Sequence, residues 1–380
     1  MGRRLRLAVI GGGPGSFIGA VHRQAALLDD RYELVAAALS SDPVKSSSAG
    51  REIGLPPERC YASGMELLAA EQDHVHGAEV VAIMTPNDSH FAFAMAALER
   101  GFDVICDKPM TNTVVEAEQL HQRVTDTGLV FCLIHNYTGY PMVRQARAMV
   151  ADGQLGDIRL VQVEYVQGNR AMPGSGRWAW KDDPVRGGPS LVMGDIGTHA
   201  HNLLRFIAGL EVTEVAADVG SIVPERTTHD YAGAMLRLNN GARGSFWVTQ
   251  AAAGVENSLR IRVSGALGSL EWTQEIPQAL TFKPLGAPAQ NRTPHGPGTL
   301  PLAARASRIV AGHPEGFHEA FANLYSDAAE AIAARRSGQS ADPLALHFPN
   351  AWDGLLGVRF VDSVVQSSRH SSAWTPCVPP

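Results

Sequence analysis

Residues 7–26 read LAVIGGGPGSFIGAVHRQAA: an apolar run, five glycines within nine residues, then a segment with helical patterning. A strand, a glycine turn and a helix in that order predict a dinucleotide pyrophosphate site, where backbone N–H groups and a helix N-terminus meet the phosphates. The spacing is unusual, because Gly11 and Gly13 open the G-x-G-x-x-G pattern but Ser16 holds its third glycine position and the next glycine is Gly19. No G-K-[ST] follows, so a P-loop is excluded. Taken alone, the stretch is either a cofactor loop with a lengthened tip or an ordinary glycine-rich turn.

Working outward, short apolar runs alternate with helical patterns. YELVAAAL (32–39) leads to a helix beginning near Asp42-Pro43, with proline in its favoured first turn. AEVVAIM (78–84) leads through TPNDSH to a helix closed by Gly101, and FDVIC (102–106) leads through DKP to a helix near 113–127. LVFCLI (129–134) completes the series. Strands that are apolar throughout and alternate with helices predict a parallel sheet covered on both faces. The fold class is therefore α/β: a doubly wound, Rossmann-type domain over residues 1–134, then an α+β domain over 135–380. In the second domain a helix near 139–151 precedes alternating strands at 157–167, 211–223, 230–238, 243–250, 257–264 and 268–273. Hairpin turns such as NNG (239–241) make that sheet mostly antiparallel. Residues 284–312 read as a long surface loop, followed by helices at about 314–336 and 349–366.

The 380 residues are 45% hydrophobic and 18% charged, with a formal net charge of -6. That balance lacks the basic footprint of a nucleic-acid binder. No run approaches the ~18 apolar residues of a membrane span, and the start MGRRLRLAVIGGG breaks on glycine too early for a secretory signal. A cytoplasmic location is expected. Four cysteines lie far apart; Cys106 and Cys132 end apolar runs and read as buried thiols.

Ligands of a doubly wound sheet bind beyond the carboxyl ends of its strands. Four polar strand ends are therefore candidates for cofactor contact. They are Gly11, Gly13, Gly15, Ser16, Phe17 and Ile18; Ser40, Ser41, Asp42 and Lys45; Thr85, Pro86, Asn87 and His90; and Asp107 with Lys108. Lys108 stands just past an apolar strand and before Pro109, which biases its backbone towards an extended form. In GGPSLVMGDIGTHAHNLLRF (187–206), Asp195 and His199 are four apart and share one face of a helix. A plain helix N-cap and a core histidine are the alternatives for these two. His199 and His201 are separated by about 200° on a helix, so no metal pair is expected there. Asn136 and Tyr137, at the domain junction, and Trp178 and Trp180, just ahead of the 187–206 stretch, are candidates for substrate contact through hydrogen bonds and ring stacking.

Together the glycine loop, TPNDSH, DKP and GG…GDIGTH resemble the Gfo/Idh/MocA oxidoreductases, the glucose–fructose oxidoreductase and inositol dehydrogenase group. The family's E-K-P motif falls on Asp107, Lys108 and Pro109 with aspartate replacing glutamate, and its D-x-G-x-H motif falls on Asp195, Gly197 and His199. Trp180-Lys181 stands where the family commonly has Trp-Arg. The resemblance implies NAD- or NADP-dependent hydride transfer to or from a secondary hydroxyl of a sugar, glycoside or inositol, and a homodimer or homotetramer. Residue chemistry agrees: a neutral histidine suits removal of the carbinol proton, and a lysine cation stabilises developing alkoxide. His199 is then the base, Lys108 the electrostatic stabiliser and Asp195 the orienting group. The alternatives are an NAD-dependent glycosidase working through transient C3 oxidation, and a non-catalytic cofactor- or sugar-binding regulator.

Overall fold

A computed structural model of the chain describes residues 3–173 and 179–377. The first third alternates as expected: β1 (Leu5–Gly11), α1 (Phe17–Leu28), β2 (Tyr32–Ala38), α2 (Pro43–Glu52), α3 (Gly64–Asp73), β3 (Val80–Met84), α4 (His90–Glu99), β4 (Asp103–Asp107), α5 (Val114–Thr127) and β5 (Phe131–Ile134). Only α3 escaped the sequence reading. These five strands form one parallel sheet in the order β2-β1-β3-β4-β5. The order reverses between β1 and β3, which makes a topological switch point at their carboxyl ends.

The rest of the chain supplies α6 (Pro141–Ala151), β6 (Ile158–Val166), α7 (Pro184–Gly187), a π-helical turn (Met193–Gly197) and α8 (Thr198–Ala208). Then come β7 (Val212–Gly220), β8 (Tyr231–Leu238), β9 (Arg243–Thr249), β10 (Ser258–Gly265), β11 (Gly268–Thr273), β12 (Leu280–Pro284) and β13 (Gln290–Arg292). The chain ends with α9 (Pro301–Ala304), α10 (Phe317–Ser337), α11 (Ala351–Arg369) and β14 (Thr375–Pro376). The second sheet runs β13-β12-β11-β10-β6-β9-β8-β7-β14 and is antiparallel except between β6 and β9. Residues 284–312 are not the open loop expected of them. They contain the edge strand β13 and the short α9. An edge strand needs backbone pairing but little apolar patterning, so Gln290–Arg292 left no signal.

Two compact units result, and their division differs from a cut at 134/135. One comprises Met1–Thr111, Val115–Asn136 and Phe317–Leu355; the other comprises Asn112–Val114, Tyr137–Gly316 and Leu356–Pro380. α10 belongs to the first because its apolar stripe Phe321, Leu324, Tyr325, Ala328 and Ile332 packs with Val21, Ala25 and Ala26 of α1 against Leu7, Val9, Val80 and Ala82. Polar bonds fix its rotation and register. The Tyr32 hydroxyl donates to the Tyr325 carbonyl at 2.9 Å, and Arg335 donates to the buried Asp103 carboxylate at 2.8 Å. In the second unit, α8 packs on β6 and β10, and Ser367 of α11 accepts from the Ala217 amide at 2.9 Å. Among the described residues no helix is long and apolar enough to cross a membrane. All four cysteines are buried and none is in a disulfide.

Candidate active site

The glycine loop is shaped by close approach. Gly11, Gly12 and Gly15 have φ of 82°, 68° and 83°, a region that disfavours side chains. A Cβ on Gly13 would stand 2.1 Å from the Leu39 carbonyl oxygen at the end of β2, and one on Gly19 would stand 1.9 Å from the Gly12 oxygen. Gly19 thus does the packing of helix on loop that the third glycine of the short motif does. The loop has a lengthened tip, and Gly15 at that tip is exposed with nothing within 4 Å of a Cβ. Ser16 caps α1, its Oγ accepting from the Gly19 amide at 3.2 Å. Phe17 is exposed beside Phe317, and Ile18 packs on the core. Arg23, which the sequence reading did not single out, donates to the Gly12 carbonyl at 2.8 Å.

The other strand ends gather on the same edge of the sheet. Gly11 abuts Met84 and Thr85, so the glycine loop and the Thr85-Pro86-Asn87 loop lie side by side at the β1/β3 switch point. His90 departs from expectation. Its Nδ1 lies 2.7 Å from the Pro109 carbonyl oxygen and its Nε2 2.9 Å from the Thr85 carbonyl oxygen, so the buried ring sits between two loops with both nitrogens facing backbone rather than offered to a ligand. At the end of β2, Asp42 caps α2 by accepting from the Val44 and Lys45 amides at 3.0 and 3.1 Å. Ser40 Oγ accepts from the Asp42 amide at 3.1 Å, Ser41 is exposed, and Lys45 Nζ lies 3.9 Å from Asp42. Lys108 follows β4 directly; its amide donates to Asp107 Oδ1 at 2.8 Å, and the Lys108-Pro109 bond is cis. The left-handed glycine loop, the α1 N-terminus and the switch point together fit a dinucleotide pyrophosphate.

In the second unit the D-x-G-x-H motif forms the π turn leading into α8, not a simple N-cap. Such turns within helices are frequent at functional sites. Asp195 Oδ1 accepts from Lys181 Nζ at 2.8 Å and Oδ2 accepts from Gln250 Nε2 at 2.8 Å. His199 is buried, with the Tyr137 ring edge-on at 4.9 Å and Tyr165 at 6.3 Å. The two tyrosine hydroxyls are 2.5 Å apart, and Tyr165 donates to Asn257 at 2.8 Å. Burial pushes the Tyr165 phenol well above its ordinary range, with the nearby Tyr137 and Asp195 adding to it. His201 points elsewhere, stacked 4.2 Å from Phe360 at 10°, as the helical phase requires. Trp180 has the Lys181 ammonium 5.8 Å from its ring centroid, a cation–π distance. Trp178 lies outside the described residues. Asn136 belongs to the first unit, buried, with its Nδ2 bonded to none of the described residues. Among the described residues no cluster of three or more His, Cys, Asp or Glu is placed to hold a metal.

The sequence reading missed Tyr165, Gln167, Gln250 and Asn257. Only the alternation of β6, which buries Tyr165 on one face with Val161 and Val163, hinted at any of them.

Comparison with known proteins agrees with these two halves. Residues 5–135 match the family model described as an oxidoreductase family with an NAD-binding Rossmann fold, and residues 143–271 match the GFO/IDH/MocA C-terminal domain. The uncharacterized oxidoreductase YfiI of Bacillus subtilis is 33% identical over 97% of this chain and 96% of its own. A crystal structure of an oxidoreductase from Sinorhizobium meliloti is 48% identical with a TM-score of 0.89, covering 98% of this chain and 99% of that one. An inositol dehydrogenase homolog from Azotobacter vinelandii, solved with NADH and myo-inositol, is 36% identical with a TM-score of 0.93, covering 99% and 98%. Residues 5–135 are thus an NAD-binding Rossmann domain.

Proposed function

This chain belongs to the Gfo/Idh/MocA oxidoreductases, and from that premise we propose that it oxidises a secondary hydroxyl of a cyclitol, sugar or glycoside, or reduces the corresponding ketone. The bound nicotinamide supplies the hydride acceptor or donor. Removing a carbinol proton is the work of His199, a buried base placed one helical turn from Asp195. Lys108, the cation after β4, stabilises negative charge growing on the substrate oxygen. Asp195 orients the acid–base group.

The observation that carries this reading is the placing of Asp195 and His199 on one polar cluster: Lys181 and Gln250 hydrogen-bonded to the carboxylate, the Tyr137 and Tyr165 rings packed against the imidazole. A cluster rich in hydroxyl, amide and charged groups suits a substrate bearing several hydroxyls, because each can be paired on burial. The inositol dehydrogenase homolog crystallised with myo-inositol supports a cyclitol within that class.

A cofactor-reduction screen over cyclitols, free sugars and glycosides tests the proposal. Net NADH or NADPH formation with at least one polyol is the expected result. Sugar release from a glycoside without net reduced cofactor would replace the dehydrogenase reading with a glycosidase, and silence across the panel would overturn it.

A further inference from the structure

Asp195 is the head of a longer hydrogen-bonded chain whose direction can be worked out from its charged end. A carboxylate beside an ammonium only accepts, so Gln250 turns Nε2, not Oε1, towards Asp195. The same Nε2 donates to Gln167 Oε1 at 3.2 Å, and the buried Gln250 Oε1 meets no donor among the described residues. With Gln167 Oε1 accepting, its Nε2 is the donor to Asn257 Oδ1 at 2.6 Å. Asn257 Oδ1 also accepts the single proton of Tyr165 at 2.8 Å. The Tyr165 oxygen therefore accepts from Tyr137, whose own proton is thereby committed. Asn257 Nδ2 faces the Tyr137 oxygen at 3.4 Å, again as donor. Tyr137 meets anything further as an acceptor only, next to the His199 ring.

Lys181 is built into place for this. The adjacent Asp182 pairs with the buried Arg170, Thr228 also donates to Asp182 at 3.4 Å, and a Cβ on Gly187 would stand 2.6 Å from the Lys181 carbonyl.

Resting on the reading above, we propose that Lys181, by placing its ammonium on the Asp195 carboxylate, sets the direction of this chain and keeps Tyr137 a hydrogen-bond acceptor beside His199. Lys181 is a positioning residue. A substrate group meeting Tyr137 then has to donate, so a free hydroxyl is accepted there and an O-methyl ether is not.

Hydrogen exchange of the Gln250, Gln167 and Asn257 side-chain amides, followed by 15N NMR on the full-length protein, tests this without any substrate. Wild type and Lys181→Arg are expected to protect these protons, and Lys181→Met to speed their exchange about tenfold or more while α8 backbone protection stays unchanged. Asp195→Asn is expected to speed exchange as much, and Lys181→Met to add nothing on top of it. Unchanged protection in Lys181→Met, or additive losses in the double variant, would overturn the proposal. Should Lys181→Met fail to fold, Lys181→Gln, neutral but still a donor, carries the same test. With a turned-over polyol in hand, Lys181→Met should lower kcat about ten- to a hundredfold, the worth of a hydrogen bond to a charged group, and Lys181→Arg should restore most of it. A screen that finds no substrate leaves the exchange result standing, so the two readings fail separately.

Discussion

His22 ties cofactor-loop helix α1 to α10, and its burial makes that tie sensitive to acid. The ring is fully buried; Nδ1 lies 2.8 Å from the Tyr325 hydroxyl, and Phe321 packs edge-on at 5.2 Å. Burial, with a smaller push from Arg23 and His90 against the pull of Asp107, lowers its pKa from 6.5 to about 4. The native state therefore refuses a proton that the unfolded chain takes up below about pH 6.5. The stability tied to the neutral ring is complete above that pH and drains away as pH falls towards about 4. A drop of about 2.5 in pKa corresponds to about 3 kcal/mol, of which about 2 kcal/mol is gone by about pH 5. His22→Phe removes the titration and keeps a ring against Phe321, at a cost of about 1–3 kcal/mol for depriving the buried Tyr325 hydroxyl of its partner. Urea unfolding of wild type and variant at about pH 7.5 and about pH 5 reads the difference, in which all other titrating groups cancel. The wild-type advantage should shrink by about 2 kcal/mol at the lower pH. An advantage that is equal at both pH values would refute the reasoning.

Four further outcomes are expected. Lys108→Met should lower kcat about 10²–10³-fold with nicotinamide binding retained, read by cofactor fluorescence titration and steady-state kinetics; near-wild-type turnover would remove Lys108 from the mechanism. His199→Ala should cost far more activity than His201→Ala, whose ring lies stacked on Phe360, and kcat/KM for oxidation should rise with pH as the base loses its proton. Because Asp42 spends Oδ1 capping α2 and has Lys45 nearby, kcat/KM for NAD and NADP should agree within about tenfold; a preference above about a hundredfold either way would contradict this. The outward face of the nine-stranded sheet exposes Leu160, Met235 and Trp247 beside the Arg262–Glu271–Lys283 cluster, so light scattering should find a dimer or tetramer that Trp247→Arg weakens, and a monomer at micromolar concentration would count against it.

From the residues alone, the class of the fold and the chemistry of its strand ends were legible. Strands such as Val80–Met84 are apolar at every position because helices cover both faces, and that pattern survives in one dimension. Lys108, Asp195 and His199 stood out as candidates too, since each stands at a fixed offset from a glycine, a proline or a strand end. Tertiary structure decided what depends on residues meeting across sequence. Gly19 replaces the missing third glycine because α1 approaches Gly12 there, a contact no spacing rule encodes. α10 has helical periodicity, but periodicity names a face and not its partner; the Rossmann sheet claims it across 180 intervening residues through Tyr325 and Arg335. Lys181, Gln250, Gln167, Asn257 and Tyr165 come from a 3-10 turn, a strand end and neighbouring strands. Each is an ordinary polar residue until folding removes water, and only then must every donor find its acceptor.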